Sequence, residues 1–357
     1  MSLGRWRSVK QGLLLILLSP IIVLNVAATE PAAEPPPEVA YRQLAVWTEI
    51  GGDFQNFDQP CAVAVDSRRD IYIADCALRA VIKLDGNGKF LDAWKGAGEH
   101  RFFHPADIFI DVNDAYVVDR YERRVYRMSL SGEHKATWNL RTADAGKVGE
   151  ATGICVDPLG KIYILDHVND RILSYNSNGK LLKEFGKDLE GPAKLFGPTD
   201  IVCDDHGNVL VTSFNDRIVK FSPEGEVLAV WGQKGTKPGQ FDDPRGLAMD
   251  PQGRLYLTDT DNGRLQRMEL SVPEAPEQNG ESDKKAKKDA NGLLKQPQNI
   301  VVWGQNAEDG TVLEKPTGIT VTPDGLVIVT DRKRGTITLW KQESPFALPK
   351  LEGPILP

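Results

Sequence analysis

The 357-residue chain is poor in the side chains that most often hold metals or act as nucleophiles, with five histidines and four cysteines. No segment resembles a nucleophile–histidine–aspartate triad, a phosphate-binding glycine loop or a nucleotide fold. Positive charge is also in deficit, and the formal net charge is −7. An acidic surface disfavours nucleic acid, because such binding depends on neutralising phosphates. We therefore expect no nucleic-acid partner.

Long apolar runs are scarce, and the one that matters lies at the N-terminus. Basic residues precede an apolar stretch over residues 13–24, and small residues follow it. Pro20 breaks the stretch, which is shorter than the roughly 20 residues that span a bilayer. This pattern is typical of a signal peptide, here over residues 1–28, and a proline-rich linker over 29–41 follows. We expect a secreted or periplasmic protein without stable membrane insertion after cleavage; an uncleaved N-terminal anchor is the alternative.

The rest of the chain repeats one unit about six times. Its clearest copy, Phe241–Gly263, has a phenylalanine, a proline, an apolar strand ending in Asp, a Gly turn and a second apolar strand closing on Asp. The closing residues of the six units are Asp75, Asp119, Asp166, Ser213, Asp259 and Asp331. Their spacing lies in the mid-forties except for one gap of 72. Such a period built from strands indicates radial β repeats, each forming one blade.

Each unit predicts four antiparallel strands, and the fourth ends on an aromatic residue. Those aromatics are Trp94, Trp138, Phe185, Trp231 and Trp303, five for six units. The missing strand is at the other end of the chain, because Leu44–Gly51 resembles Leu228–Gly235 and puts Trp47 in the aromatic position. We predict an all-β, six-bladed β-propeller over residues 42–342. Its N-terminal strand completes the last blade, which closes the ring and removes an exposed sheet edge.

The long gap reflects an insertion over residues 271–298, between the third and fourth strands of blade five. It is rich in Glu, Lys, Pro, Asn and Gly and has almost no apolar residues, so it cannot bury enough surface to fold. We predict a disordered, solvated loop whose lysines are balanced by its own acids. Residues 343–357 form a C-terminal tail.

Ligands of propellers usually meet the mouth of the central channel. The residue just after the proline that begins each blade should line this mouth, and the next residue along the strand should form a second layer. The residue that follows each closing Asp should form a rim around the mouth. The candidate ligand-binding residues are Thr152, Thr199, Arg245, Thr317, Asp107, Asp200, Arg120, His167 and Arg332. Their guanidinium, carboxylate and hydroxyl groups suit a small polar or anionic ligand, or a peptide end. Alternatively, these groups satisfy one another and bind channel water.

The closing aspartates recur from blade to blade, which argues for a scaffolding role. Asp119, Asp166 and Asp259 each precede an arginine by five residues. A carboxylate at such a strand end can accept from loop N–H groups and pair with that guanidinium.

Four cysteines in an exported chain raise the question of disulfides. The expected hairpin register puts Cys76 next to Cys61, so a disulfide between them is feasible. Cys155 and Cys203 lie on the first strands of neighbouring blades and could also meet, but we interpret them as two buried free thiols.

The pattern P-x-G-[IL]-x-x-D…G-x-[IL]-Y-[IL]-x-D…N-x-R-[IL] resembles the NHL repeat. It is clearest in residues 152–172, 198–218, 244–265 and 316–337. The resemblance covers about Arg42 to Trp340 and implies the propeller fold. It implies no single function, because relatives serve in protein binding, RNA binding and catalysis.

Two enzyme groups with similar folds define a catalytic alternative. The peptidyl-hydroxyglycine amidating lyases hold zinc with inner-strand histidines, whereas here the equivalent positions have none and only His167 lies on the rim. The gluconolactonase-like hydrolases place Glu, Asn and Asp around calcium or zinc. Asp107, Asp200 and Glu150 are the nearest candidates for that arrangement.

Together these patterns favour an exported, monomeric binding or scaffolding module for a protein, peptide or glycan, with no catalytic residues and no cofactor. The alternative is a calcium- or zinc-dependent hydrolase or lyase centred on Asp107, Asp200 and His167.

Overall fold

Six four-stranded antiparallel sheets follow one another along the chain, one for each repeat. The computed structural model describes residues 40–142, 144, 147–270, 295–305 and 312–343. The strands of blades one to three are Pro60–Val65, Ile71–Asp75, Ala80–Leu84 and Phe90–Trp94; Pro105–Ile110, Asp114–Asp119, Arg124–Ser129 and His134–Asn139; Ala151–Val156, Ile162–Asp166, Arg171–Tyr175 and Leu181–Phe185. Those of blades four to six are Pro198–Cys203, Val209–Ser213, Arg217–Phe221 and Val227–Trp231; Pro244–Met249, Leu255–Asp259, Arg264–Glu269 and Gln298–Trp303; Pro316–Val321, Leu326–Asp331, Thr336–Gln342 and Tyr41–Trp47.

The last blade takes its fourth strand from the beginning of the propeller. Tyr41–Trp47 pairs antiparallel with Thr336–Gln342, and Trp47 lies opposite Ile337. The predicted six-bladed architecture and its closure by the N-terminal strand are therefore confirmed.

A few short elements connect the blades. Glu49–Gly51 pairs with Phe54–Asn56, Gly96–Ala97 pairs with His100–Arg101, and Gly191–Ala193 forms a 3-10 helix. Within the described ranges, no helix has the length and apolarity needed to cross a membrane. The predicted signal peptide, the linker up to residue 39, residues 271–294 of the predicted insertion 271–298 and all but the first residue of the predicted tail 343–357 lie outside the described residues.

The hydrophobic core is divided among the junctions between blades. Six clusters of buried side chains each join two neighbouring blades, and one of them joins blade six to blade one. Five of the six second strands are buried along their whole length, as in Ile162–Asp166. A strand covered on both faces can carry the unbroken apolar run that the sequence shows.

The closing aspartates fasten each blade entry to its second strand. Asp75 is fully buried and accepts from the backbone N–H groups of Asp58 at 2.9 Å and Gln59 at 3.1 Å. In blade four, Ser213 replaces the carboxylate and its hydroxyl accepts from Phe196 N–H at 2.7 Å. The role is structural because the bond recurs around the ring and its acceptor is buried.

The predicted ion pair with the following arginine forms in two blades and not in a third. Arg171 Nε donates to Asp166 at 3.0 Å, and Arg264 Nε donates to Asp259 at 2.6 Å. Arg124 instead donates to Glu122 at 3.0 Å. Its carboxylate partner is therefore on the adjacent loop rather than at the strand end.

All four cysteines are joined in disulfides. Cys61 bonds Cys76 within blade one, with Cα atoms 6.1 Å apart. Cys155 bonds Cys203, with Cα atoms 6.0 Å apart, so the interpretation of these two as free thiols is wrong. The first strands of blades three and four run side by side, which brings opposite faces of neighbouring strands within bonding distance.

Candidate ligand site at the channel mouth

The innermost strands of the six blades surround a central cavity of about 300 Å³. All nine predicted ligand-binding residues lie on its wall: Thr152, Thr199, Arg245, Thr317, Asp107, Asp200, Arg120, His167 and Arg332. The repeat explains this, because each residue occupies a comparable position of a strand or loop that radial symmetry turns toward the axis.

The threonines of the first layer bond to the scaffold. The hydroxyl of Thr152 donates to Pro198 O at 3.2 Å, that of Thr199 to Pro244 O at 2.9 Å, and that of Thr317 to Pro60 O at 3.1 Å. Each hydroxyl thus bonds the entry proline of the next blade. These three hydroxyls are therefore satisfied by the backbone of the next blade rather than by another candidate side chain.

His167 is held in a similar way. Its Nδ1 lies 3.0 Å from Pro198 O, and its ring meets the edge of Phe214 with centroids 5.2 Å apart. The imidazole thus bonds a backbone carbonyl and packs on an aromatic ring, both of the following blade.

Three arginines stand at the rim, and two of them have a carboxylate partner. Arg120 binds Glu150 through Nε at 2.7 Å and Nη2 at 2.6 Å. Arg245 binds Asp243 through Nε at 3.0 Å and Nη2 at 2.9 Å. Each guanidinium donates two N–H groups to one carboxylate oxygen, which holds its plane in place.

The third rim arginine has a neutral partner. Arg332 donates from Nε and Nη2 to the same amide oxygen, Gln59 Oε1, at 3.2 and 2.8 Å. Burial lowers the pKa of Arg332, and the charges of Arg245 and Arg120 lower it further. Arg332 remains protonated, since a guanidinium does not lose its proton in proteins. The mouth therefore contains a half-buried cation that, within the described part of the chain, forms no ion pair with a carboxylate within 4 Å.

His104 belongs to the same site, although the sequence analysis gave it no role. Its imidazole contacts the Tyr121 ring, with centroids 4.7 Å apart and the ring planes tilted by 40°. Burial lowers its pKa to about 4, and the charges of Arg120 and Arg332 contribute to that shift. The ring is therefore neutral at pH 7, chiefly because it is buried.

The position of His104 within the repeat could have assigned it to the channel mouth from the sequence. The residues before the six blade-entry positions are Gln59, His104, Glu150, Gly197, Asp243 and Lys315. Three of them are the partners of the rim arginines, so this position of the repeat faces the mouth as the rim does.

Asp107 and Asp200 form the second layer, and both face the backbone of the next blade. Asp107 accepts from Ile154 N–H at 2.7 Å, and Asp200 accepts from Leu247 N–H at 2.7 Å. Burial raises the pKa of Asp107 to about 7. Burial also raises the pKa of Asp200 well above its ordinary value, with a further contribution from the charge of Asp107.

These carboxylates do not fit the calcium or zinc site that the enzyme resemblance implies. Each also accepts from the N–H of the residue after it, at 2.8 Å, so both oxygens of each side chain bond to backbone. Glu150, the third candidate ligand, is paired with Arg120. Among the residues that the structure describes, the group whose potential ligand atoms come within 4.8 Å of one another is Cys61, Cys76 and His104.

Comparison with known proteins supports the repeat and the fold. The model of the NHL repeat matches residues 241–268 and 313–338. Virginiamycin B lyase from Staphylococcus aureus is 14% identical with a TM-score of 0.53, covering 85% of this chain and 99% of that one. An auxiliary nutrient binding protein from Bacteroides thetaiotaomicron is 12% identical with a TM-score of 0.59, covering 86% and 78%. At such identities the likeness shows the fold alone.

Proposed function

This chain is a six-bladed β-propeller of NHL repeats, and we propose that it is a binding module whose channel mouth captures a carboxylate on a peptide or glycan. The observation that carries the proposal is Arg332, a half-buried guanidinium whose described acceptor is the neutral amide of Gln59. A carboxylate would replace a neutral acceptor with a charged one, and bidentate guanidinium–carboxylate bonds are among the stronger hydrogen bonds in proteins.

The surroundings of Arg332 support an anionic ligand. Arg120 and Arg245 add positive potential, and both are held by their own partners rather than competing for Gln59. Beside them Phe103 and Tyr121 are exposed by 44% and 42% and meet edge to face. An exposed aromatic pair beside a cation suits a ligand with an apolar or ring-shaped portion next to its carboxylate. Peptides and acidic glycans both have that combination.

The same proposal places the protein outside the cytoplasm. It rests on the signal-like N-terminus and on two disulfides, which persist in oxidising compartments. The bound partner would then be an extracellular or periplasmic peptide, protein or glycan.

Calorimetry on the disulfide-bonded protein tests the carboxylate proposal. The ligands are an N-acetylated aromatic tripeptide with a free C-terminus, the same peptide amidated, and an oligogalacturonide. We expect the free acid or the oligogalacturonide to bind, and Arg332→Gln to weaken that binding by about tenfold or more, since hydrogen bonds to charged groups contribute roughly 1.5–3 kcal/mol. Binding should also weaken as salt is added.

Arg68→Gln is the matched control. This exposed arginine lies in the hairpin at the far end of the first strand of blade one, so its loss should leave affinity unchanged. Thermal unfolding checks that both variants fold. Equal affinity for the free and amidated peptides with no binding of the oligogalacturonide would contradict the proposal, as would an equal effect of both arginine variants or the failure of every ligand to bind.

An enzyme is the second candidate, and Asp107 is the observation in its favour. A carboxyl group with a pKa near 7 in a cleft is a recognised sign of general acid–base chemistry. The lyases with a similar fold make this worth testing. Turnover in a lactone, ester and streptogramin screen that disappears in Asp107→Asn would support it, whereas activity retained in that variant would exclude Asp107 as the proton donor.

A further inference from the structure

One edge of the channel mouth brings two sulfurs and an imidazole together at the junction of blades one and two. Cys61 lies in the first strand of blade one, and Cys76 directly follows the second. Cys76 Sγ is 3.3 Å from Pro105 O, and His104 immediately precedes that proline. The sulfurs and an imidazole nitrogen lie within 4.8 Å of one another. Two different blades thus contribute to one cluster.

From this arrangement we propose that reduction of the Cys61–Cys76 disulfide creates a zinc site formed by the two thiolates and His104. Zinc takes Cys sulfur at about 2.3 Å and His nitrogen at about 2.0–2.1 Å in tetrahedral geometry, which sets neighbouring ligand atoms roughly 3.3–3.8 Å apart. The cluster already lies within 4.8 Å, so side-chain rotation after cleavage of the S–S bond suffices to form the site.

Reduction requires a dithiol as the co-reactant. One thiolate of the dithiol attacks the half-buried Cys61 Sγ, which faces the channel, and Cys76 leaves as a thiolate. The second thiol of the reductant then attacks the reductant sulfur that is bonded to Cys61. This closes the disulfide of the reductant and releases Cys61 as a thiolate. Two electrons and two protons pass from the dithiol to the cysteines, and the reductant becomes a disulfide. Binding of zinc releases the two cysteine protons to solvent.

His104 is prepared for this role. Within the described residues, neither ring nitrogen has a hydrogen-bond partner, and the ring packs at a tilt against Tyr121.

The charges of the site are compatible with its surroundings. Two thiolates and one zinc ion sum to zero, so the occupied site adds no positive charge beside Arg120 and Arg332. Three protein ligands leave the fourth zinc position open toward the channel.

Titration with Co²⁺, a spectroscopic substitute for zinc, tests the inference on the mature chain. We expect protein reduced with an excess of dithiol, and then freed of it under nitrogen, to bind one Co²⁺ per chain. Thiolate-to-cobalt charge transfer and the visible bands of a tetrahedral ion would identify the ligands. The oxidised protein should show neither, and added zinc should displace the cobalt.

Variants separate this cluster from other thiols. His104→Ala should weaken Co²⁺ binding about tenfold or more, and Cys61→Ser should remove the two-thiolate spectrum. Cys155→Ser/Cys203→Ser is the matched control, since it removes the other disulfide and should leave the spectrum unchanged. Thiol titration and circular dichroism verify reduction and folding. The inference is overturned if fully reduced, folded protein binds no Co²⁺, or if His104→Ala binds it as tightly as the parent.

Discussion

At the residue scale, the aspartates of the propeller lie in two different electrostatic settings. The closing Asp75 is fully buried and accepts four hydrogen bonds from N–H groups of its own blade and its entry loop. Asp107 and Asp200 lie in the channel wall, and each accepts two. Burial outweighs those bonds for the channel pair and raises their pKa values, so each favours its protonated form.

Asp107 should make stability depend on pH. Its pKa is raised from 3.8 to about 7, so between those values the folded state holds a proton that the unfolded state has lost. The free energy of unfolding should therefore fall as pH rises from 4 to 7. We expect Asp107 to account for roughly 1–2 kcal/mol of that decline, given about 1.4 kcal/mol per pKa unit and partial solvation of the channel. Urea unfolding across this pH range measures it.

The measured quantity is the slope of the free energy of unfolding against pH, compared between the parent and Asp107→Asn. The amide can accept with only one oxygen, so a constant loss of stability is expected at every pH, and only the slope reports the carboxyl group. The exposed Asp205→Asn is the control and should keep the parental slope. A parental slope in Asp107→Asn would show that Asp107 does not hold this proton.

At the scale of the element, the hairpin between the first and second strands has the same Asp-centred hydrogen bonds in blades one, three, four and five, but blade one lacks the glycine of the other three. In blade three, Asp157 accepts from the N–H groups of Leu159 and Lys161, and Gly160 follows in the left-handed region at φ 79°. Blade one has the same bonds around Asp66, but Arg69 takes the glycine position at φ 69°. A residue with a Cβ is strained in this conformation.

Arg69→Gly should therefore stabilise the protein. Relief of the left-handed strain should exceed the added entropy of an unfolded glycine, for a net gain of about 0.5–1 kcal/mol. The variant also loses a pair with Asp324 at 3.1 Å, but both partners are exposed, so that pair contributes little. Arg69→Ala is the matched control, because it loses the pair and keeps the strain. Equal stability of the Gly and Ala variants in urea unfolding would contradict the strain argument.

At the scale of the whole molecule, the ring is closed by more than strand pairing. The fourth-strand aromatic of one blade covers the glycine turn of the next, as Trp94 covers Gly132 and Trp138 covers Gly179. Trp47, from the N-terminal strand, covers Gly88 of blade one in the same way. A Cβ at Gly88 would lie 2.6 Å from the Trp47 ring. The closing strand therefore also makes the contact that joins the last blade to the first.

Gly88→Ala should weaken this closure. The new methyl group meets Trp47 in addition to a positive φ of 86°, so we expect a loss of about 2–4 kcal/mol. Gly160→Ala is the matched control, since it has a similar φ of 79° but nothing within 4 Å, and it should cost about 1 kcal/mol. Urea unfolding compares the two. Equal losses would mean that the Trp47 contact does not contribute to closure.

Much of the candidate site was predictable because the repeat carries position information. The first strand of each blade begins at the blade-entry position, and a loop follows the closing Asp of the second strand. Equivalent residues of these two segments face the channel axis in every blade, so Arg120, Arg245 and Arg332 could be assigned to the mouth. Pairing between blades was less predictable. Cys155 and Cys203 were placed on neighbouring strands, but whether their sulfurs meet depends on the angle between blades, which the repeat does not encode.

The sequence by itself determined the number of blades, their strand order and closure by the N-terminal strand, because periodic apolar runs and turn glycines are local signals. Only the tertiary structure decided which partner each channel group has. It assigns a carboxylate to Arg120 and Arg245 and an amide to Arg332, and it brings His104 to within 4.8 Å of the Cys61–Cys76 disulfide. The Arg245–Asp243 pair is local to one blade entry, whereas the other contacts join neighbouring blades, and their distances arise only when those blades pack together.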